Sequence, residues 1–318
     1  MKLKSANWRR KKTRTKADPL QLLAPAKINL ALHVTGQRDD GYHLIDSLVG
    51  FTRLGDTLTV TAPGCGELSV SGPFGRDVPT DGSNLICKMA EHVWPEMRMS
   101  FHVHKELPVA SGIGGGSADA AACYRAIAML RQLSGEGDEP LLMTDDKIAA
   151  LAGLGADIPM CVYSEAALVQ GIGEDIRPVA DLPALPILLV NPGIGVSTPA
   201  VFKALVNKSN PAMAPLDDVL NGHAFLDWLD DQRNDLQGPA CDLMPQIPKV
   251  LECLRSMTGC SLVRMSGSGA TCFGLFHDGE VIKQAAAQIK EAYPSWWVRA
   301  TVINGPSLAA PHRMRSTT

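Results

Sequence analysis

A glycine-rich segment, PVASGIGGGSADAAA, begins at Pro108 and carries the clearest chemical signal in the chain. Its four glycines fall within residues 112–116, where bare backbone leaves N–H groups open to a ligand. The segment follows a strand pattern and begins a helix near Ser117, and the first turn of a helix has unpaired N–H groups and the positive end of the dipole. Such a loop is suited to a phosphate group, the alternative being a flexible glycine turn.

The loop matches neither of two common nucleotide-binding motifs. No Gly-Lys-Ser/Thr sequence closes it, so it is not a Walker A loop, and the third glycine of a dinucleotide fingerprint is replaced by Ser117. The Ser117 hydroxyl is a candidate ligand for phosphate or Mg²⁺. Because the loop lacks a lysine of its own, we expect a separate cation, most simply Mg²⁺, to neutralise the phosphates.

Three other segments contain residues that could take part in chemistry. Lys27 and Asn29 alternate with apolar residues in a strand pattern, so their side chains share a face, although an exposed lysine at a sheet edge would look the same. Asp157 follows Leu-Gly-Ala at the end of a helical pattern, where a carboxylate is often only a cap. The segment RMSGSGAT (264–271) is a second glycine loop or a hairpin turn.

Strand and helix patterns surround these segments. The alternation of Ile28, Leu30, Leu32 and Val34 predicts a strand with one buried face. Further predicted strands are 42–51, 56–61, 67–71, 100–107, 185–191, 261–265, 270–276 and 296–303. Predicted helices are 83–93, 117–132, 145–153, 198–206, 219–231, 247–257 and 281–293. Strands and helices do not alternate steadily, which favours an α+β fold over a doubly wound sheet.

Length and composition indicate one large or two average globular domains. The chain has 318 residues with 45% hydrophobic and 20% charged residues. We expect a basic, disordered extension (1–17), an N-terminal domain (18–178), a C-terminal domain (179–308) and a tail (309–318). The extension could also be a nucleic-acid arm, an organellar targeting peptide or the product of a start codon placed too early.

Charge argues against a nucleic-acid partner. Residues 1–17 contain eight Lys/Arg and no acid, so the remainder carries −11 against −3 for the whole chain. No apolar run approaches the roughly 18 residues that cross a bilayer. The eight cysteines contain no C-x-x-C pair, and we expect them to be reduced and mostly buried in a cytoplasmic protein that binds neither nucleic acid nor membrane.

Taken together, these segments resemble the GHMP kinases, which are small-molecule kinases without a Walker loop. PVASGIGGGSADAA is similar to the family's phosphate loop and SGSGAT to its C-terminal glycine motif. One branch of the family is matched more specifically, by APAKINLALHVTGQRDDGYHLIDSL, SNLI (83–86), LGADIPM (154–160), STPAVF (197–202) and RNDL (233–236). The similarity extends from about Leu20 to Ile303.

The resemblance implies a fold and a reaction. The N-terminal domain would resemble domain 2 of ribosomal protein S5, and the C-terminal domain would be ferredoxin-like. That branch uses ATP and Mg²⁺ to phosphorylate the 2-hydroxyl of a methylerythritol that carries a cytidine diphosphate, in the non-mevalonate route to isoprenoid and terpenoid precursors. The protein would be a transferase acting on a small molecule, as a monomer or homodimer.

The resemblance also implies site residues. Asp157 would be the general base and Lys27 would assist it. The phosphates and nucleotide of ATP would contact Pro108, Val109, Ala110, Ser111, Gly112, Ile113, Gly114, Gly115, Gly116, Ser117, Ala118 and Asn84. The cytidine substrate would contact Asn29, Tyr42, His43, Thr198 and Phe202.

One residue departs from the family pattern. Many relatives have GGGSS in the phosphate loop, whereas here Ala118 replaces the second serine, so Ser117 keeps the phosphate or metal role. Other functional interpretations stay open at this point. The chain could be a mevalonate, homoserine or galactose kinase, a nucleotide-binding relative without catalysis, or an RNA-binding protein that uses its basic arm.

Overall fold

The computed structural model describes residues 19–135, 143–216, 220, 222–304 and, as backbone, 312–313. The predicted basic extension (1–17) and most of the predicted tail lie outside these residues. The strands are β1 (Leu20–Gln37), β2 (His43–Thr61), β3 (Leu68–Ser71), β4 (Ser100–His104), β5 (Ala167–Gly171), β6 (Asp175–Pro178), β7 (Leu185–Asn191), β8 (Cys260–Met265), β9 (Cys272–Phe276), β10 (Trp297–Ile303) and β11 (His312–Arg313).

Helices pack against these strands. They are α1 (Leu85–Val93), α2 (Gly115–Ser134), α3 (Asp145–Leu154), α4 (Ile158–Tyr163), α5 (Thr198–Ala204), α6 (Gly222–Asp230), α7 (Gln237–Leu243), α8 (Gln246–Arg255) and α9 (Gly279–Ala292). Most predicted elements are present, within a few residues at each end. The short α4 and α7 and the β5–β6 hairpin were not predicted.

The sheet is almost entirely antiparallel. Its main path runs β11-β1-β2-β10-β7-β9-β8, with β4 and β5 also pairing with β2. Among the described strands, β3 and β4 are the pair that runs parallel. The two halves of the path join where Ile303 of β10 pairs with Thr52 of β2. This arrangement confirms the predicted α+β class, while the boundary between residues 178 and 179 stays a prediction.

The prediction of two separate strands over 42–51 and 56–61 is wrong, because β2 is one continuous strand. At Gly55, between the two predicted strands, β2 instead continues and approaches β1 closely. A Cβ on Gly55 would lie 2.2 Å from the Ala24 carbonyl oxygen, so glycine lets β1 and β2 touch here. The pairing of β1 with β2 shifts register between Pro25 and Lys27 and continues on both sides of this shift.

Burial of β1 also differs from the prediction of one buried face. Every residue from Ala24 to Val34 is buried, including Lys27, Asn29 and His33. One face of β1 packs with α2. A separate apolar cluster joins β1 to β7, β9 and α6, for example through Ile28, Ile187 and Phe225. The strand that carries the predicted catalytic lysine therefore lies inside the protein.

Candidate active site

A cavity of about 1120 Å³ contains the predicted site residues. Its wall is formed by β1, the start of β2, the segment before α1, the phosphate loop, the start of α4 and α5. All predicted site residues line it except Ile113 and Ala118, which are completely buried behind it. The predicted residues that line it are Lys27, Asn29, Tyr42, His43, Asn84, Pro108, Val109, Ala110, Ser111, Gly112, Gly114, Gly115, Gly116, Ser117, Asp157, Thr198 and Phe202.

The phosphate loop has the backbone geometry of an anion cradle. Gly114 caps α2 in the left-handed region, at φ 67° and without a side-chain cap, and Gly112 has φ 77°. Among the described residues, no acceptor bonds the N–H groups of residues 114–117. These donors lie at the beginning of a 20-residue helix, where the dipole favours negative charge.

The glycine at 114 also lets Lys27 reach the cavity. A Cβ there would lie 3.2 Å from both Cβ and Cε of Lys27. The Lys27 N–H donates to the Ile113 carbonyl over 3.0 Å, so β1 and the phosphate loop are joined directly. A side chain at 114 would push these two elements apart.

Lys27 and Asp157 form an ion pair, with Nζ and Oδ2 3.0 Å apart. Asp157 occupies the N-cap position of α4, yet its side chain makes no capping hydrogen bond, so the carboxylate is available to the cavity. Lys27 Nζ also donates to Asn29 Oδ1 over 3.0 Å, and Asn29 Nδ2 donates to Ser47 Oγ over 2.8 Å. This chain of bonds fixes the ammonium beside the carboxylate.

His43 and Phe202 form an aromatic platform on the cavity wall. Their ring centroids are 4.7 Å apart with an interplanar angle of 27°. Burial and, secondarily, the charge of Lys208 lower the pKa of His43 below its ordinary value, and its Nε2 has no hydrogen-bond partner among the described residues. Tyr42 is largely exposed at the cavity edge. A neutral imidazole with a free nitrogen can bond a polar edge of a flat ligand.

A buried charge cluster beside the phosphate loop was not predicted. Lys105 Nζ bonds Asp119 Oδ2 at 2.6 Å and also bonds Asp56. Asp56 Oδ1 accepts the N–H groups of Glu106 and Leu107 at 2.7 and 2.9 Å. Asp56 thus fixes the segment that precedes the phosphate loop. Lys105 fixes α2, which follows that loop. We call Asp56, Lys105 and Asp119 the loop clamp.

The loop clamp brings a lysine to the phosphate cradle. A Cβ on Gly115 would lie 3.6 Å from both Lys105 Nζ and Asp56 Oδ2. Because Lys105 is already paired with Asp56 and Asp119, the expectation that a separate cation neutralises the phosphates stays a prediction. Burial raises the pKa of Asp119 to about 7, although the positive charge of Lys105 acts to lower it. Asp119 Oδ1 has no hydrogen-bond partner in the described part of the chain. The sequence signal was a charged residue within each of two strand-like segments, Asp56 in DTLTVT and Lys105 in HVHKEL.

The second glycine loop packs against the first. A Cβ on Gly112 would lie 2.5 Å from the Ser266 carbonyl oxygen and 2.7 Å from that of Gly269. Ser266 Oγ accepts the N–H of Asn29 and donates to the Gly112 carbonyl, each over 3.1 Å. One hydroxyl therefore joins β1 to both loops.

The RNDL segment supports this second loop from behind. Asn234 Nδ2 donates to the carbonyls of Met265 and Gly267, over 2.7 and 2.8 Å. Arg264 is buried and donates to the carbonyls of Leu30 and Gln232, each over 2.7 Å. Asn234 and Arg264 thus hold backbone in place and do not line the cavity.

Two other expectations concern cysteines and metals. All eight cysteines lie in the described residues and are free thiols, although only Cys123, Cys161 and Cys272 are fully buried. Where the structure describes the chain, it contains no group of three or more His, Cys, Asp or Glu that could hold a metal ion. No described helix combines the length and apolar character that a membrane crossing requires.

The chain is similar to known kinases over most of its length. The GHMP kinase N-terminal domain matches residues 84–165 and the GHMP kinase C-terminal domain matches residues 220–295. The 4-diphosphocytidyl-2-C-methyl-D-erythritol kinase of Roseobacter denitrificans is 45% identical over 93% of this chain and 97% of its own length. The enzyme of that name from Dinoroseobacter shibae is 48% identical over 90% of this chain and 95% of its own.

Solved structures agree with the sequence relatives. A crystal structure of 4-(cytidine 5'-diphospho)-2C-methyl-D-erythritol kinase superposes with a TM-score of 0.71 at 32% identity, over 90% of this chain and all of that one. Homoserine kinase from Cytophaga hutchinsonii, at 18% identity and a TM-score of 0.59, shares the fold over 91% of this chain and 96% of its own. These matches confirm the predicted two-part kinase architecture. The chain is therefore a small-molecule kinase of the GHMP superfamily and belongs to the family of 4-diphosphocytidyl-2-C-methyl-D-erythritol kinases.

Proposed function

We propose that the protein transfers the γ-phosphoryl group of ATP to the 2-hydroxyl of 4-diphosphocytidyl-2-C-methyl-D-erythritol, in the non-mevalonate route to isoprenoid precursors. The observation that carries this proposal is the Lys27–Asp157 pair, 3.0 Å apart, directly beside the glycine-rich phosphate loop. A proton acceptor and an anion cradle that share one cavity are the two parts that phosphoryl transfer to an alcohol needs.

ATP would bind with its phosphates on residues 108–118. The free N–H groups of residues 114–117 and the positive end of α2 would hold the phosphate oxygens. Lys105 also lies next to the cradle, where Asp56 and Asp119 balance its charge. Asn84 lines the same end of the cavity, so we place the nucleoside there.

Asp157 would act as the general base. The tertiary hydroxyl of the acceptor loses its proton as its oxygen attacks the γ-phosphorus, and a carboxylate within hydrogen-bond reach accepts that proton while ADP leaves. Lys27 would orient the carboxylate and would stabilise negative charge on the attacking oxygen. Asn29 fixes the position of Lys27.

Mg²⁺ fits the donors at this site. It usually keeps several waters and binds through one or two protein oxygens together with substrate phosphates, so it needs no cluster of protein ligands. Ser117 Oγ lines the cavity at the first turn of α2 and has no partner among the described residues, which makes it the candidate ligand. When bound, the ion would neutralise charge on the phosphates.

The cytidine end of the substrate would lie on the aromatic platform. Phe202 and His43 offer a stacking surface, and the free Nε2 of His43 can bond the polar edge of cytosine. Tyr42 would cover the base from the cavity edge, with Asn29 and Thr198 as polar contacts to the rest of the molecule. We infer a small-molecule substrate, no nucleic-acid or membrane partner, and a monomer or a homodimer.

The test is coupled ADP release with Mg-ATP and 4-diphosphocytidyl-methylerythritol. Mevalonate, homoserine and galactose are run beside it, and Asp157→Asn is the control variant. We expect turnover only with the cytidine substrate and its loss in the variant. Turnover with another alcohol would contradict the assignment of Tyr42 and His43. Folded protein that binds ATP but phosphorylates none of the four would contradict the proposed reaction.

A further inference from the structure

A buried arginine joins three elements of the active site without lining the cavity itself. Arg125 lies in the middle of α2 and is 3% exposed. Its Nη1 donates to the Cys161 carbonyl over 2.7 Å and to Ser164 Oγ over 3.0 Å, near the end of α4. Its Nη2 donates to the Leu23 carbonyl of β1 over 2.9 Å. One guanidinium therefore bonds both α4 and β1 from α2.

Each of these three elements carries one part of the proposed chemistry. The phosphate loop leads into α2 at Gly115. Asp157 is the N-cap residue of α4, and Lys27 follows Leu23 by four residues on β1. The bridge made by Arg125 therefore connects the elements that must hold the base, its lysine and the phosphates at fixed distances from one another.

The position of Asp157 depends on how the far end of α4 is held. The six residues of α4 span roughly 9 Å, so a shift at one end of this short helix moves the other. Asp157 makes no capping hydrogen bond, and its carboxylate bonds Lys27. Buried Ile158 and Val162 hold α4 by apolar packing, which has no preferred direction. Hydrogen bonds are directional, so the bonds from Arg125 orient the helix.

The charge of Arg125 indicates that its role is more than filling space. No carboxylate in the described part of the chain bonds this buried cation, and burial lowers its pKa to about 10, so it stays charged at neutral pH. An apolar side chain would fill the same volume without the cost of burying a charge. What arginine adds is a planar fork of donors that can reach two acceptors at once.

We propose that Arg125 is a positioning residue for phosphoryl transfer. Its guanidinium fixes α4 against α2 and β1, and so sets the distance between the Asp157 carboxylate and the phosphates on the phosphate loop. This inference rests on the proposed role of Asp157 as the general base. Arg125 touches neither substrate, so its loss affects the rate of transfer and not binding.

Steady-state kinetics of Arg125→Met give the first test. Methionine keeps a long apolar side chain but removes the fork of donors. We expect kcat to fall about 10- to 100-fold, because a displacement of about 1 Å in a reacting group can cost that much. The KM values for ATP and for the cytidine substrate are expected to change by less than about twofold.

The matched control is Arg131→Met. Arg131 lies on the same helix, and its Nη1 donates to the Val93 carbonyl of α1 over 3.3 Å. The substitution is therefore of the same kind but leaves β1 and α4 in place. We expect its kcat to stay within about twofold of the wild-type value.

A double-mutant cycle with Asp157→Asn separates positioning from general damage to the fold. If Arg125 acts through Asp157, its loss has little left to disturb once the base is gone. We expect Arg125→Met to lower the residual kcat of Asp157→Asn, measured with radiolabelled ATP, by less than about twofold. A substitution that only weakened the fold would lower kcat by the same factor in both backgrounds.

Arg125→Lys separates the fork from the charge, and it serves as the second variant should Arg125→Met fail to fold. A lysine keeps the cation, but its single ammonium does not reproduce the fork, so we expect kcat to stay low. Guanidinium ion, at concentrations too low to unfold the protein, is expected to restore part of the kcat of Arg125→Ala. It should have no such effect on Arg131→Ala.

The inference is overturned by any of three results. These are a wild-type kcat in Arg125→Met, equal factors in the two backgrounds of the cycle, and full recovery in Arg125→Lys, which would assign the role to charge alone. Failure of the proposed function is recognised separately, before Arg125 is changed. It would appear as wild-type protein that does not turn over the cytidine substrate, or as full turnover in Asp157→Asn.

Discussion

Lys27 and Asp157 form an ion pair in which the two partners differ strongly in exposure. The Lys27 side chain is 6% exposed and that of Asp157 is 38% exposed, although Nζ and Oδ2 are 3.0 Å apart. The lysine is held from behind by Asn29, so the carboxylate is the partner that a substrate can reach. This asymmetry assigns different roles to the two residues.

The first prediction concerns Asp157→Asn. An amide keeps the shape of the side chain but cannot accept a proton, so we expect kcat to fall by about 100- to 10,000-fold. The KM for ATP is expected to change little, because the phosphate loop is untouched. Steady-state kinetics test this, with the exposed Asp231→Asn as control. A fall of less than threefold in kcat would remove Asp157 from the role of base.

The second prediction concerns the loop clamp. Lys105→Met leaves Asp56 and Asp119 buried together without a cation, and we expect a loss of about 3–5 kcal/mol in the free energy of unfolding. Urea unfolding measures it. Lys88→Met, at an exposed position of α1, is the control and should change the same free energy by less than about 0.5 kcal/mol. Equal effects of the two substitutions would mean that the clamp does not stabilise the fold.

The third prediction concerns pH. The pKa of Asp119 is about 7 in the folded protein, above the ordinary 3.8, so the folded state holds this proton more tightly than the unfolded state does. Stability is therefore lost as the pH rises from about 4 to 7, by at most about 1.4 kcal/mol per pH unit, and levels off above 7.

Asp119→Asn removes that titration. The unfolding free energy of the variant minus that of the wild type is expected to rise with pH up to about 7 and then stay constant. Taking this difference cancels other titrating groups, such as buried His33, whose lowered pKa acts in the opposite direction. Parallel curves for the two proteins would show that Asp119 does not hold the proton.

The fourth prediction concerns the aromatic platform. Phe202→Leu keeps an apolar side chain but loses the stacked ring, which is worth about 0.5–1.5 kcal/mol. We expect the KM for the cytidine substrate to rise about two- to tenfold, with kcat and the KM for ATP unchanged. The control is Tyr293→Leu, which removes an exposed ring stacked on Trp296 outside the cavity. A rise in the KM for ATP instead would place the nucleotide on this platform.

The sequence predicted the site best where the residues involved are neighbours along the chain. The phosphate loop could be recognised because its glycines, its strand and its helix are contiguous, and Lys27 and Asn29 because they alternate on one strand. The contact between Lys27 and Asp157 could not be derived from spacing, since α4 itself was not predicted. The resemblance to a family indicated the two residues but left their contact open, and the structure places them 3.0 Å apart.

The loop clamp was missed for a different reason. Asp56, Lys105 and Asp119 come from three separate elements, and each looks like an ordinary polar residue of its own segment. Only the fold shows that they are buried and share hydrogen bonds. The burial of β1 on both faces was missed in the same way, because an alternating pattern does not reveal that a second core covers the polar face.

The hydroxyl of Ser266 has a thermodynamic consequence. It bonds both the strand that bears Lys27 and the phosphate loop, and it belongs to the second glycine loop. We therefore expect a displacement of one loop to move the other. If ATP and the acceptor each displace one of these loops, they would be heterotropic effectors of each other, and whatever factor ATP contributes to the affinity of the acceptor, the acceptor must return to ATP.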